Sequence, residues 1–343
     1  MTIAFSWQGL PQYAARQLRA ALDRLPSGAV VVGTKPSVPI QGMEAALGQP
    51  IHWVEPTAAI TWAGLGQPVP RVFFQAGWSC PAFNALGDEV RAAGGKVCLL
   101  MDNDWRGDLR QRLGGPWFRL TMKRKFSTVF VPGVSGRRLA RWYGFAEDEI
   151  FEGLYGADPK VFFDGPPLAA RPKRILFVGQ YIERKDCVGL ATAFADAADQ
   201  LPEWELHLYG SGPLKDRLPA HPRIRVHGFV QPEELGALYR SARIFALPSR
   251  SEAWGLVVHE AALSGCQLLL SGAIGARWDF AGRKNAEEFP AGDHVAMGRA
   301  LLRLAAQADQ ALGRAQQESL GLAASHGPAV FADRVSAIVR QLT

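Results

Sequence analysis

Two glutamates eight residues apart, Glu252 and Glu260, stand where the sequence predicts a ligand site. The apolar run 244–248 is typical of a buried strand, and a helix is expected to begin near Gly255. Ligands of open parallel sheets bind beyond the carboxyl ends of strands, and the unpaired N–H groups of a helix N-terminus suit a diphosphate. Glu252, just ahead of the helix, can accept hydrogen bonds from sugar hydroxyls, and Glu260, inside the helix, can accept them from a ribose. Two solvent-exposed glutamates are the alternative that this spacing leaves open.

A second candidate segment is Gly179-Gln-Tyr-Ile-Glu-Arg-Lys185, which follows another apolar run and precedes a helical pattern. Arg184 and Lys185 are positioned there to meet the charge of a phosphate. A merely solvated lysine at a helix start is the alternative. Both segments therefore place polar groups just after predicted strands.

The elements that position these residues follow from short apolar runs alternating with helical patterns, which imply parallel sheets covered on both faces. Strands are predicted at 3–7, 29–33, 71–75, 96–101, 128–132, 174–179, 205–210, 223–228, 244–248 and 267–271. Helices are predicted at 13–25, 84–93, 135–143, 187–198, from 232, at 255–264 as an amphipathic helix, and across about 294–343.

The length of 343 residues predicts two domains. A segment with four prolines and no clear period, 158–173, is interpreted as the linker. We expect an N-terminal domain at 1–165, with a C-terminal helix at about 326–343 packing back on it. Residues 166–325 are expected to form the second domain.

The net charge of +6 is concentrated in one stretch, because residues 105–142 hold ten Lys and Arg and a single acid, Asp108. Aromatic residues lie among these cations, a mixture that suits peripheral contact with an anionic membrane. A solvated face over core aromatics is the alternative, and nucleic acid fits less well because no nucleic-acid motif accompanies the charge.

The cellular location is predicted from the cysteines and the hydrophobic runs. The four cysteines lie far apart, which fits reduced thiols in a cytosolic protein. Neither a signal peptide nor a run of about 18 apolar residues is found in the sequence. The predicted location is therefore cytoplasmic, with peripheral attachment to the inner face of the membrane as the added possibility.

Taken together, the motifs of the C-terminal half resemble retaining glycosyltransferase family 4, which has the GT-B fold. The resemblance covers nearly all of 174–304. It rests on the strand-Gly-x5-Lys element, Tyr209-Gly-Ser-Gly-Pro213, His227-Gly-Phe-Val230, Glu234-Leu-Gly-Ala-Leu-Tyr239, Pro248-Ser249 and the E-x7-E pair Glu252/Glu260. The implied fold class is α/β, with two Rossmann-like parallel-sheet domains facing a central cleft. The resemblance further implies that the domain at 1–165 is the acceptor-side domain and that the domain at 166–325 binds the nucleotide sugar.

The resemblance also implies roles for individual residues. Lys185 holds the donor diphosphate and Glu252 the transferred sugar, and both count as catalytic. Glu260 holds the ribose. The remaining donor-binding set is Arg184, Trp254, the amides of Gly255 and Leu256 toward the phosphates, and the backbone near Phe229 and Val230 toward the base.

Three positions depart from the family pattern or match it loosely. Gln180 stands where the family usually has an arginine, so a diphosphate loses one bidentate partner, and Arg184 is the candidate substitute. Gly9 is the candidate for the glycine loop over the phosphates. Asp102 or Asn103 occupies the place where many members carry a histidine near the reacting carbon, and Asp102 is counted as the third catalytic residue. Gly9 and Gln180 are counted with the donor-binding residues.

The sequence Asp102-Asn103-Asp104 also matches the D-x-D pattern of the other large glycosyltransferase fold, in which carboxylates bind a divalent metal. We expect neither metal nor cofactor, because Lys185 and a helix N-terminus already supply positive charge. An acidic loop of no chemical role is a third interpretation. The histidines, including His207, His227 and His259, are interpreted as structural.

The function expected from the resemblance is transfer of a sugar from a nucleotide-diphospho-sugar with retention of anomeric configuration. The expected acceptor is a glycan or lipid-linked glycan of polysaccharide or cell-envelope assembly. Two alternatives stay open: a nucleotide-sugar epimerase on the same fold, and a non-catalytic nucleotide-sugar-binding protein.

Overall fold

The computed structural model describes residues 2–25, 28–36 and 42–343. By its internal contacts the chain divides into two compact units. The first unit consists of Met1–Gly156 and His326–Thr343, and the second of Ala157–Ser325. The proline-containing segment 158–173 belongs to the second unit.

The first unit contains a seven-stranded parallel sheet in the order β3-β2-β1-β4-β5-β6-β7. Its middle strands are buried on both faces, as expected for a parallel sheet that is covered by helices. The direction of the strand order reverses between β1 and β4. The strands are β1 Ile3–Trp7, β2 Val30–Gly33, β3 His52–Trp53, β4 Val72–Ala76, β5 Lys96–Leu100, β6 Thr128–Val131 and β7 Ile150–Glu152.

Helices cover both faces of this sheet. They are α1 Gln12–Leu22, α2 Met43–Leu47, α3 Pro81–Ala92, α4 Leu109–Thr121 and α5 Val134–Trp142. The core on one face gathers apolar residues of β1, β4 and α1, and the core on the other gathers those of α3, β5 and β6.

The second unit contains a six-stranded parallel sheet in the order β10-β9-β8-β11-β12-β13, which reverses between β8 and β11. Its strands are β8 Arg174–Val178, β9 Glu205–Tyr209, β10 Ile224–Val226, β11 Ile244–Leu247, β12 Gln267–Ser271 and β13 Ala286–Phe289. Its helices are α6 Cys187–Ala197, α7 Pro232–Arg240, α8 Leu256–Leu263, α9 Arg277–Phe280, α10 His294–Ala305 and α11 Asp309–Ala323.

The last helix, α12 Pro328–Leu342, belongs to the first unit. It buries Phe331 and Val335 in the same apolar core as Ala14 and Leu18 of α1. The chain therefore contributes its C-terminal helix to the unit that contains its N-terminal strand.

The ten predicted strands are confirmed, with ends that differ by at most two residues. The edge strands β3, β7 and β13 were not predicted, and neither was α4. Pro116 and two glycines lie inside α4 and hide its pattern, whereas its start is fixed by Asp108, whose Oδ1 accepts a hydrogen bond from Gln111 N at 2.8 Å. Gly115 is required where α4 meets Trp142, because a Cβ there would collide with the indole.

The expectation that α8 is amphipathic is wrong. None of the eight residues of this helix is solvent-exposed, and Val258 through Ala262 are buried. The reason is that α8 is covered: His259 stacks on Phe280 at 4.7 Å, and its Nε2 lies 2.9 Å from the carbonyl of Ala323 in α11. His259 Nδ1 accepts from Ala157 N at 2.9 Å, so this histidine is structural, as predicted.

A buried arginine fixes the segment that leads into β8. The Arg171 side chain is fully buried, and its guanidinium donates to the carbonyls of Pro166, Ala242 and Ser264 at 2.8, 3.0 and 2.9 Å. Buried polar groups that lose their partner cost the full desolvation penalty. This one side chain therefore ties the entry to β8 to the segments before β11 and after α8.

We predict that Arg171→Met destabilises the second unit by at least about 3 kcal/mol, because three buried carbonyls lose their donor. The measurement is the free energy of unfolding from urea denaturation. Arg217→Met is the matched control, since Arg217 is exposed and pairs with exposed Glu183. Equal stability of the two variants would contradict the structural role of Arg171.

Candidate active site

The loops after β8 and β11 bring together three of the predicted site residues. The two strands are neighbours, so their carboxyl ends meet where the sheet order reverses. Lys185 Nζ donates to Glu252 Oε2, and Arg184 Nη1 donates to the same oxygen at 3.1 Å. The Lys185 and Glu252 side chains are only 12% and 13% exposed. Two cations and one carboxylate thus meet at the carboxyl ends of these strands, with Arg184 the more exposed of the three at 47%.

The position of Glu252 is set by the loop that follows β12. Its amide donates to Ala273 O at 3.0 Å, and Gly275 N donates to Glu252 O at 3.0 Å. Gly275 has to be glycine, because a Cβ there would collide with the carbonyl of Ala253. Buried Ser249 donates to Glu252 Oε2 at 3.3 Å. The carboxylate is therefore held in place from both sides of its loop.

Asp186 positions the cations and was missed by the sequence reasoning. It is the non-glycine residue with positive φ among the described residues, at 51°, a conformation that aspartate tolerates better than most residues. Its carboxylate is buried and accepts from Arg250 Nη2 at 3.2 Å, and it lies 3.1 Å from His294 Nε2. Arg250 N also donates to Arg184 O at 2.8 Å. The turn that carries Arg184 and Lys185 is thereby tied to the Glu252 loop and to α10.

The start of α8 completes this side of the site. Gly255 has φ 92° and caps the helix, so Leu256 begins it at the predicted place. The first N–H groups of a helix are left without intrahelical partners and lie at its positive end. The side chain of Trp254 is not accessible to a donor in this structure. Its indole is buried and packs on Phe280, with ring centroids 5.7 Å apart. Any contact of this residue with a ligand is left to its main chain.

Glu260 lies inside α8 and is buried to 9% exposure. Its Oε2 accepts a hydrogen bond from the hydroxyl of Tyr239 at 2.8 Å. Burial raises the pKa of Glu260 to about 7, and the Tyr239 hydrogen bond acts in the opposite direction. Glu260 is therefore poised to change charge near neutral pH.

The candidate base-binding residues lie in the loop after β10. Phe229 is 57% exposed and Val230 is half-buried. The stem of this loop is stiffened by His227, which stacks on Tyr209 with centroids 4.2 Å apart and lies 3.2 Å from His207 Nδ1. Burial lowers the pKa of both His207 and His227, which agrees with their predicted structural role. Gln180 is exposed at the end of β8.

In the first unit, the predicted residues follow β1 and β5. Gly9 has φ 57°, and its amide donates to Thr34 Oγ1 at 2.7 Å. Asp102 and Asn103 are exposed, and Asp102 Oδ2 accepts from Tyr155 OH at 3.3 Å.

The D-x-D interpretation gains no support from the arrangement of these acids. Asp104 is buried and pairs with Arg106 Nε at 3.0 Å, whereas Asp102 is exposed. Within the ranges that the structure describes, we find no cluster of three or more His, Cys, Asp or Glu able to hold a metal ion.

The raised pKa of Glu260 predicts a pH-dependent stability. Its carboxyl stays protonated in the folded chain up to about pH 7 but ionises near its usual value of 4.5 in the unfolded chain. The contribution of this carboxyl to the free energy of unfolding is therefore complete below about pH 4.5 and is lost as the pH rises through 7. We expect the unfolding free energy of wild type relative to Glu260→Gln to fall by on the order of 3 kcal/mol between pH 4.5 and 7.

Urea denaturation at pH 5, 6, 7 and 8 tests this expectation. Glu234→Gln, which removes an exposed carboxylate from α7, is the control and should show no such trend. Parallel stability curves for wild type and Glu260→Gln would contradict the prediction.

Comparison with known proteins places this geometry in context. Residues 172–307, less than half of the chain, match the family model described as Glycosyl transferases group 1. A curated relative is sulfoquinovosyl transferase SQD2 of Arabidopsis thaliana, which is 38% identical over 81 residues. That match covers 22% of this chain and 16% of the plant protein, so the chain spans under a fifth of the length of this relative.

Solved structures extend the similarity to the whole chain. HepE of Anabaena, in complex with UDP and glucose, has a TM-score of 0.76 at 14% identity, with 100% of both chains covered. Sucrose-phosphate synthase of Thermosynechococcus elongatus has a TM-score of 0.73 at 17% identity, with 100% of this chain and 99% of that chain covered. Identities this low show the fold, and the predicted class, α/β with two Rossmann-like parallel-sheet domains of the GT-B type, is confirmed.

Proposed function

We propose that this protein is a glycosyltransferase that moves a sugar from a nucleotide-diphospho-sugar to an acceptor, with retention of anomeric configuration. The observation that carries the proposal is the shared carboxylate: Arg184 and Lys185 converge on Glu252 beside the start of α8. The similarity of 172–307 to group 1 glycosyl transferases and of the whole fold to a UDP-bound protein supports it.

The arrangement suits the departure of a diphosphate. Lys185, Arg184 and the N-terminus of α8 supply positive charge that is fixed before the reaction begins. An arriving diphosphate competes with Glu252 for the two cations, and the displaced carboxylate becomes available to sugar hydroxyls. The leaving phosphate oxygen takes the acceptor proton, so the proposal includes neither a protein nucleophile nor a metal.

Lys185 and Glu252 are expected to respond oppositely to substitution. Lys185→Ala should weaken binding of a nucleoside diphosphate at least tenfold, because a charge-assisted hydrogen bond is worth about 1.5–3 kcal/mol. Glu252→Gln should bind it as tightly as wild type or more so, since the competing charge is gone, yet transfer sugar about a hundredfold more slowly.

The measurement begins with a thermal-shift screen of UDP-, GDP-, ADP- and dTDP-sugars, which selects a donor because bound ligand raises stability. Calorimetry with the selected diphosphate and turnover assays on each variant follow. Lys173→Ala removes a cation from an exposed ion pair with Glu203 and is the matched control. Normal turnover by Lys185→Ala, or a parallel loss of diphosphate affinity in both variants, would refute the assignment.

Product analysis separates the alternatives. An epimerase would convert the donor sugar with no acceptor present, and a binding protein would hold the donor without releasing sugar when cell lipids are added. A glycosyltransferase consumes the donor faster with an acceptor and yields a new glycosidic product.

For the acceptor side, we infer contact with an anionic membrane through α4. Its exposed large apolar residues recur every three or four positions, which places them on one helix face. The exposed fractions are 75% for Leu109, 76% for Leu113, 55% for Trp117 and 80% for Leu120. Arg110 and Arg112 of the same helix are exposed as well. An apolar stripe with flanking cations is typical of helices that lie in a membrane interface.

Part of the positive charge of the basic stretch 105–142 is offset by nearby acids. Arg137 and Arg141 both pair with Glu147, and Lys123 pairs with Glu149, so acids just beyond residue 142 offset these charges. No helix among the described parts of the chain is long and apolar enough to cross a membrane. The proposed contact is peripheral and centred on the exposed face of α4, which would bring the protein to a lipid-linked acceptor.

Co-sedimentation with vesicles tests this contact. Wild type should bind vesicles that contain anionic lipid, less so at high salt, and Leu113→Gln with Leu120→Gln should lower the partition coefficient at least tenfold. Val295→Gln, which changes an exposed apolar residue of the second unit, is the control. Unchanged partitioning of the double variant would refute the role of α4.

A further inference from the structure

The first unit holds a pocket of about 280 Å³ that is made entirely by its own residues. It lies beyond the carboxyl ends of β1, β4 and β5, where the sheet order reverses between β1 and β4. Open parallel sheets bind their ligands at such reversals. The volume is close to the lower end of small-molecule pockets, about 300–1,000 Å³, so it suits one small ring.

Aromatic side chains from three distant segments form the walls. Trp7 is the last residue of β1, Trp78 lies in the loop after β4, and Tyr155 lies in the segment after β7. The Trp7 and Tyr155 rings lie 5.9 Å apart, and Trp78 is held edge-on against Phe118 at 5.1 Å. These rings are held by packing and line the pocket without rearrangement.

The polar side of the pocket carries a single negative charge. Asp102 is the one ionised residue among the eleven described residues that line it. Its Oδ2 accepts a hydrogen bond from Tyr155 OH at 3.3 Å, and burial together with the Asp102 charge raises the pKa of Tyr155, so the phenol stays a donor. The free acceptor positions of the carboxylate point to hydroxyl groups as partners. Gln8 and Asn103 add neutral polar groups.

We propose that this pocket binds an uncharged, hydroxyl-bearing sugar ring, which would be the acceptor residue if the proposed function holds. The ring would lie against the aromatic faces while a hydroxyl donates to Asp102. A phosphorylated or carboxylated ring would place its charge near Asp102 without a cation in the lining, and like charges repel. The pocket therefore selects a neutral ring.

Ligand-observed NMR on the full chain without donor tests the proposal directly. The probes are methyl glycosides of glucose, galactose, mannose and N-acetylglucosamine, with glucose 6-phosphate and glucuronate as anionic counterparts. We expect at least one neutral glycoside to bind more tightly than both anions. Asp102→Asn should weaken binding of that glycoside at least fivefold. The same variant should also lower the ratio of its affinity for the glycoside to its affinity for the anions.

Variants with intact packing separate binding from folding. Tyr155→Phe keeps the ring and removes the hydroxyl that orients Asp102. It should therefore weaken binding of the glycoside while leaving the melting temperature within a few degrees of wild type. Asp23→Asn, at the far end of α1 and in an exposed pair with Arg19, should change nothing. Tighter binding of either anion in wild type, failure of every neutral glycoside to bind, or unchanged glycoside affinity in Asp102→Asn would overturn the proposal.

The same samples distinguish this proposal from the proposed function. Nucleotide-sugar binding with no glycoside binding would overturn the pocket assignment alone. Glycoside binding with no nucleotide-sugar binding would overturn glycosyl transfer and leave a neutral-sugar pocket standing.

Discussion

The carboxylate of Glu252, shared between Arg184 and Lys185, is the interaction on which the architecture of the second unit converges. It joins the loops of two neighbouring strands at the point where the sheet order reverses. Lys185 and Glu252 are largely sheltered from water, whereas the Arg184 side chain is 47% exposed. An ion pair away from water is stronger, but a charge that loses its partner there is costly. A ligand that replaces Glu252 at the cations therefore has to bring negative charge of its own, which is the requirement that a diphosphate meets.

Further buried charges support this arrangement from behind. The Asp186 carboxylate accepts a hydrogen bond from Arg250 and lies beside His294, and Asp186 thereby fixes the turn that carries Lys185. Arg171 fixes the entry to β8, the strand from which that turn emerges. Each charge is held by partners from a different segment, so the cation positions depend on the whole unit. Such preorganisation is what electrostatic catalysis requires, because the charges do not move during the reaction.

The sequence was sufficient for ten of the thirteen described strands and for the strand–loop–helix placement of Glu252, because buried parallel strands are continuous apolar runs. The edge strands β3, β7 and β13 are short and only partly buried, so they lack such a run. It was insufficient where tertiary contacts decide. Asp186 is an ordinary residue in the sequence, and only the fold brings Arg250 to it. The burial of Trp254 depends on Phe280 from another loop. Helix α4 was hidden by Pro116, although Asp108 caps it and its exposed face carries leucines.

In both sheets the candidate site lies where the strand order reverses, but the two sites carry opposite charge. At the reversal in the second sheet, two side-chain cations and a helix N-terminus face a single carboxylate, a surplus of positive charge for an anion. At the reversal in the first sheet, aromatic walls surround Asp102, and the lining supplies no cation. A nucleotide diphosphate placed in the first pocket would meet repulsion, and a neutral ring placed at Lys185 would leave the cations with Glu252. Under the proposed function, this difference in charge assigns the donor to the second unit and the acceptor to the first.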